Sequence, residues 1–143
     1  MNISALRKVI ALFSKDMLVG ILLSRATFKI QIDADNDSKL GYCTKLKISI
    51  RGEEDFLFGV QRSLNQHGIT SHYKEHESKS RDRPILRITG MKNMRKIRDI
   101  VPSGLPDIKN KWQTFLKAIA ITDDRKHLTL EGFDALLKLK GLI

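Results

Sequence analysis

Along residues 16–32, DMLVGILLSRATFKIQI, the hydrophobic period changes once. Leu18, Ile21 and Leu22 recur at helical spacing, with Gly20 and Ser24 one turn apart. From Thr27 the period drops to two, and Phe28, Ile30 and Ile32 alternate with Lys29 and Gln31. The pattern predicts a helix, started at Ser14 and Asp16, that runs directly into a strand. Gly20 and Ser24 carry so little side chain that a second backbone can approach that helix face closely. An ordinary buried helix would read the same way.

The rest of the chain punctuates cleanly. Upstream, residues 3–13 read as a short helix with Leu6, Ile10 and Phe13 on its apolar side. Downstream, DADNDSKLG is an acidic, turn-rich loop. It leads to a strand over residues 42–51 with Leu46, Ile48 and Ile50 on one face and Lys45, Lys47, Ser49 and Arg51 on the other. A helix follows, opened by Glu53, Glu54 and Asp55, striped by Phe56, Leu57, Val60 and Leu64, and closed by Gly68. Residues 69–76 alternate Ile69, Ser71 and Tyr73 against Thr70, His72, Lys74 and His76. After a polar loop, residues 84–89 turn Leu86 and Ile88 inward and Arg87 outward. Residues 91–101 form a basic amphipathic helix that buries Met94, Ile97 and either Ile100 or Val101. Beyond the breaker PSGLP, Asp107 caps a long helix with Trp112, Phe115 and Ile119 in the core. Thr129 caps a last helix carrying Phe133, Leu136, Leu137 and Leu139.

Helix, hairpin, helix, hairpin, helix, and two further helices predict an α+β class with an αββαββα core. Such a core is a four-stranded antiparallel sheet with helices on one face and the other face open. At 143 residues and 41% hydrophobic, the chain suits one globular domain, 1–143, with its core at about 15–121 and a helical extension over 122–143. No apolar run approaches the ~20 residues of a membrane span, and no leader pattern opens the chain, so an intracellular protein is expected. The lone Cys43 forms no internal disulfide, and no Cys/His cluster has metal-site spacing.

Charge changes the picture most. The net charge is +10 and the pI near 9.9, which favours a polyanionic partner, nucleic acid before membrane surface. Residues 79–98 hold eight basic side chains against one acid, Asp82. The outward strand positions make the open sheet face basic and hydrogen-bonding.

These features together resemble the LAGLIDADG homing endonucleases over essentially the whole chain. Leu18-Val19-Gly20-Ile21-Leu22 is similar to the opening of the family motif, and Thr27-Phe28-Lys29-Ile30 to the strand after it. The lysine-bearing Asp107-Ile108-Lys109-Asn110-Lys111-Trp112 and the tail His127-Leu128-Thr129-Leu130-Glu131-Gly132-Phe133 also match family segments. The resemblance implies a saddle-shaped sheet set on double-stranded DNA in the major groove. It also implies a homodimer of motif helices packed through Leu18, Gly20, Ile21 and Ser24. By position it assigns DNA contacts to Lys29, Gln31, Lys45, Lys47, Ser49, Arg51, Thr70, His72, Lys74 and Arg87. It places Lys109 and Lys111 near the phosphate.

The chain departs from the motif where the chemistry sits. Arg25 stands where the family places its metal-binding carboxylate, and a guanidinium has no lone pair to offer a hard cation. The resemblance therefore implies a catalytically inactive, sequence-specific DNA-binding protein with no catalytic residue, metal or cofactor. The alternatives are an active endonuclease using Mg²⁺ and an intron RNA-binding maturase. A second register exists, in which Ile32-Asp33-Ala34-Asp35-Asn36 is the motif and residues 28–32 are helical. Asp33, Asp35 and Asp37 are also a candidate loop metal site.

Overall fold

The Ser14 side chain accepts a hydrogen bond from the Met17 amide at 3.2 Å and so starts the first described helix, α1, Lys15–Arg25. The structure, a computed structural model, describes residues 12–105 and 111–142. With no turn between them, α1 passes into β1, Ala26–Ala34, as the period change predicts. This excludes the second register, because Phe28 to Ile32 lie within a strand. The predicted helix at 3–13 falls on residues 3–11, outside those described. Leu12 and Phe13 are not helical, and the Phe13 amide instead donates to the buried Ser63 hydroxyl at 2.8 Å.

A turn at 35–41 returns the chain as β2, Tyr42–Arg51, paired antiparallel with β1 from Ala26↔Ile50 to Ala34↔Tyr42. Helix α2, Glu54–Gln66, then crosses the sheet. Gly68 ends it at φ +72, with the Ile69 amide donating back to the Leu64 carbonyl. The second hairpin is β3, His72–Lys74, and β4, Ile85–Thr89, and the strand order is β1-β2-β4-β3. β3 is much shorter than the alternation predicts. Before it, Thr70 is bound to Asn93 through both backbone and side chain, and after it Glu77 is drawn towards Arg51. These contacts take the chain off the sheet edge at both ends.

Helices α3, Met91–Ile100, α4, Trp112–Asp123, and α5, Leu130–Lys140, complete the element order among the described residues. The five described α-helices and the four-stranded sheet make an α+β architecture. The expected cap Asp107 lies outside the described residues; α4 as described begins at Trp112, preceded by Lys111 at φ +57.

One core lies between sheet and helices. Ile30, Leu46, Ile48, Ile50, Leu86 and Ile88 face Leu18 and Leu22 of α1, Leu57, Val60 and Leu64 of α2, Met94 and Ile97 of α3, and Phe115 and Ile119 of α4. Trp112 and Phe115 pin α4 to β1 by tilted ring contacts with Phe28 at 5.3 and 5.0 Å. Each such contact is worth about 0.5–1.5 kcal/mol beyond the area it buries. The tail segment is a local knuckle. A 3₁₀ turn, Lys126–Leu128, abuts α5, whose cap Thr129 accepts from the Gly132 amide. Any Cβ at Gly132 would lie 1.9 Å from the Lys126 carbonyl oxygen, so only glycine fits there.

Candidate nucleic-acid interface

Because Ile30, Ile48 and Ile88 point into the core, the pleat sends their neighbours to the opposite face. Register then groups the outward side chains. Lys29 stands opposite Lys47, and Gln31 opposite Lys45. Thr27, Ser49, Arg87 and His72 form one row across all four strands. Lys29, Lys45, His72 and Lys74 are exposed, and Gln31, Lys47, Ser49 and Arg87 are half-buried. Like charges directly opposite each other in a sheet are unfavourable, so a Lys29–Lys47 pair disfavours the free state and favours a bound anion. The acid Asp33, on the same face near the end of β1, accepts from the Gln31 side-chain Nε2 at 2.5 Å. Thr70 lies just before β3, exposed, and is engaged with Asn93.

Arg51 differs from the expectation. It is outward by register, in a row with Ile85 and Lys74, but that end of the face is covered. The loop after β3 folds over it. Ile85 is fully buried there although it lies on the open side, and Glu77 is only 7% exposed. Arg51 donates to both Glu77 oxygens, at 2.6 and 3.2 Å, in a fork-to-fork pair. Arg83 reaches the same carboxylate at 3.3 Å and Arg81 at 3.5 Å. The Arg51 hydrogen bond, the Arg51 charge and the Arg83 contact together outweigh burial and hold the Glu77 carboxyl at a pKa of about 2, while Glu77 raises that of Arg51. Arg51 is thus committed to a carboxylate and not free to read a base. Arg81 and Arg83 belong to the basic run 79–98, but a loop shows no periodicity that would single them out as contacts. Besides that bias, the local signal is Glu77 four residues before Arg81.

At the carboxyl end of α1, the exposed Arg25 lays its guanidinium over the Phe56 ring, 4.6 Å from the centroid, and donates to the Arg51 carbonyl at 3.4 Å. It presents donors only, so this helix end does not offer the carboxylate that a divalent metal requires. The acidic loop does not gather its carboxylates either. Asp35 accepts from the Asp37 amide at 3.0 Å in an Asx turn, and among the described residues no three His, Cys, Asp or Glu side chains gather to hold a metal ion. Lys109 lies outside the described residues. Lys111 lines a cleft of about 220 Å³ together with Lys29, Thr114 and Lys140. The Lys140 ammonium donates to the Ile30 carbonyl, tying the end of α5 to β1.

The expected dimer face divides. Leu18 is fully buried in the chain's own core and is therefore unavailable to a partner. Gly20 and Ser24 are exposed, Ile21 is half-buried, and Met17 beside them is 56% exposed. The Ser24 hydroxyl donates to the Gly20 carbonyl at 2.6 Å, which leaves the strip between them smooth. The period of 3.6 turns Leu18 and Leu22 to the sheet, and Gly20 and Ser24 away from it.

No protein-family model and no curated protein matches the sequence. Solved structures match the fold. I-SmaMI bound to an uncleaved DNA target with calcium ions superposes with a TM-score of 0.75 at 18% identity, over 90% of this chain and 44% of its own. The LAGLIDADG meganuclease I-CpaMI bound to uncleaved DNA gives 0.73 at 20% identity, over 90% of this chain and 43% of its own. The homing endonuclease I-TnaI gives 0.74 at 21% identity, over 90% and 86%. The chain thus spans under half the length of I-SmaMI and I-CpaMI but most of I-TnaI. Five α-helices and a four-stranded antiparallel sheet among the described residues, superposed on these proteins over nine-tenths of the chain, give it the fold of the LAGLIDADG homing endonucleases.

Proposed function

We propose that the chain binds double-stranded DNA sequence-specifically, as a homodimer, and does not cleave it. The observation that carries this reading is the open sheet face. Exposed Lys29 and Lys45, half-buried Lys47 and Arg87, and hydrogen-bonding Gln31, Ser49 and His72 stand in register on a surface with little acid. Lysine and arginine donate to guanine edges and to phosphates, and glutamine pairs with adenine, so one such face supplies both affinity and sequence information. I-SmaMI and I-CpaMI carry DNA in structures of the same fold, which supports a duplex as the partner. No helix among the described residues is long and apolar enough to cross a membrane.

One copy offers a single sheet. The exposed Gly20–Ser24 strip, flanked by Met17 and Ile21, is the surface on which a second copy would place its own α1, bringing two sheets onto one duplex. At the end of that helix Arg25 supplies a cation in place of a metal ligand, suited to contact a phosphate directly. Lys111, beside Lys29, adds a further basic contact.

The test is selection of bound duplexes from a random pool, followed by incubation of the winners with Mg²⁺ or Mn²⁺. Expected are a pseudo-palindromic site, affinity that falls steeply with salt, and no strand cleavage. Cleavage of the selected site would establish the active endonuclease instead, and preference for structured RNA over duplex would establish an RNA-binding role.

A further inference from the structure

Glu77 is the sole carboxylate among the buried polar residues described, and it lies beneath the loop at the edge of an otherwise basic face. Anion binding by charge alone would be better served by its absence. The loop around it is built rather than slack. The Glu77 amide donates to the Arg83 carbonyl at 2.9 Å, and Ser78 and Arg81 exchange backbone bonds at 3.1 and 3.3 Å in a tight turn. The Lys74 ammonium lies 3.5 Å from the Glu77 carbonyl, and Ile85 seals the underside. Arg51 takes the close, two-pronged contact with the carboxylate, and with 30% side-chain exposure it is the least exposed of the three arginines. Arg81 and Arg83 touch Glu77 at one nitrogen each and remain 60% and 52% exposed. A guanidinium has five N–H donors, so each keeps most of its fork free while its swing is restrained.

We propose that Glu77 is a positioning residue that holds Arg81 and Arg83 as a preorganised clamp for the phosphate backbone of duplex DNA. This rests on the DNA-binding reading above. An arginine already held near its bound geometry loses less freedom on binding than one on a slack loop. The buried carboxylate subtracts one charge from the face and returns two ordered phosphate donors. The consequence runs against charge counting: neutralising Glu77 makes the protein more basic, yet weakens its grip on DNA.

The experiment measures binding of the full chain to its selected duplex across a salt series, for wild type, E77Q, R81Q, R83Q and the two double variants with E77Q. Circular dichroism and thermal melting confirm that each is folded. E77Q is expected to bind roughly tenfold more weakly, about the loss of one ordered charge-assisted contact. R81Q and R83Q should each lower the slope of log K against log salt by about one in the wild-type background, and by much less with E77Q. Tighter or unchanged binding by E77Q, or arginine effects undiminished beside it, overturns the clamp while leaving the DNA reading intact. Failure of the wild type to bind any duplex overturns both. Should E77Q not fold, R81Q and R83Q decide alone: unchanged salt slopes overturn the clamp, and slopes lowered by about one each support it.

Discussion

Replacing Gly20 by alanine sets two physical terms of opposite sign against each other. Gly20 lies in the middle of α1, exposed, and a Cβ added there meets nothing within 4 Å beyond its neighbours and the backbone of its own helix. Within one chain the substitution therefore acts only on the backbone. Alanine is about 0.8–1.0 kcal/mol better than glycine in a helix interior, so the G20A monomer should be more stable by ~1 kcal/mol. For a domain of this length that raises Tm by roughly 3 °C. The proposed dimer reverses the sign. A two-fold contact through this strip puts both new methyl groups at the closest approach of two backbones, where overpacking is unfavourable by about 1–3 kcal/mol each. Even the lower figure, about 2 kcal/mol for the pair, weakens dimerisation roughly thirtyfold. Urea unfolding at protein concentrations below the dissociation constant reads the first term, and sedimentation equilibrium reads the second. A more stable monomer with an unchanged dimer constant would refute the close helix approach. A less stable monomer would refute the outward placement of Gly20, and a monomeric wild type would dispose of the dimer altogether.

Three further outcomes are expected. R25D removes the guanidinium from the Phe56 ring, at a loss of about 0.5–1 kcal/mol, and should confer Mn²⁺ binding on the DNA complex measured by calorimetry; no gain in metal affinity counts against Arg25 occupying the ligand position. In G132A the new Cβ falls 1.9 Å from the Lys126 carbonyl oxygen, a backbone atom held by the Thr129 amide and hydroxyl. A net loss of about 2 kcal/mol in urea unfolding is expected, overpacking outweighing helix propensity, with the Tyr42–Phe133 stack disturbed; wild-type stability would contradict the packing. Glu77 titrates near 2 when folded, against 4.5 for an ordinary glutamate, so its stabilising contribution is complete above about pH 4.5 and lost as pH falls towards 2. The urea midpoint should fall further between pH 5 and pH 2.5 in wild type than in E77Q, and equal falls would remove Glu77 from the acid response.

Much of the fold was legible because it is written in short-range periods. The change from 3.6 to 2 near Thr27 locates the end of α1 and the start of β1. The same alternation fixes which side of each strand is basic, and Ser14, Gly68 and Thr129 mark helix ends by their own local geometry. The length of β3 was not legible, because Asn93 and Arg51 set its limits from 23 and 26 residues away. Leu18 shows how the two kinds of information divide. Its spacing sets it on the opposite side of the helix from Gly20 and Ser24, but only packing against the sheet decided which side faces inward.

The sequence by itself determined the α+β order, the basic outward positions and the cation at Arg25, since each follows from residue type and local period. Only the tertiary structure decided which of those cations are free. Strand parity turns Arg51 outward, yet the fold returns the loop onto it and pairs it with Glu77. Nothing within a few residues of either side chain encodes that pairing. An ion pair between distant residues depends on where two backbones come to lie, and that is settled by the packing of the whole sheet.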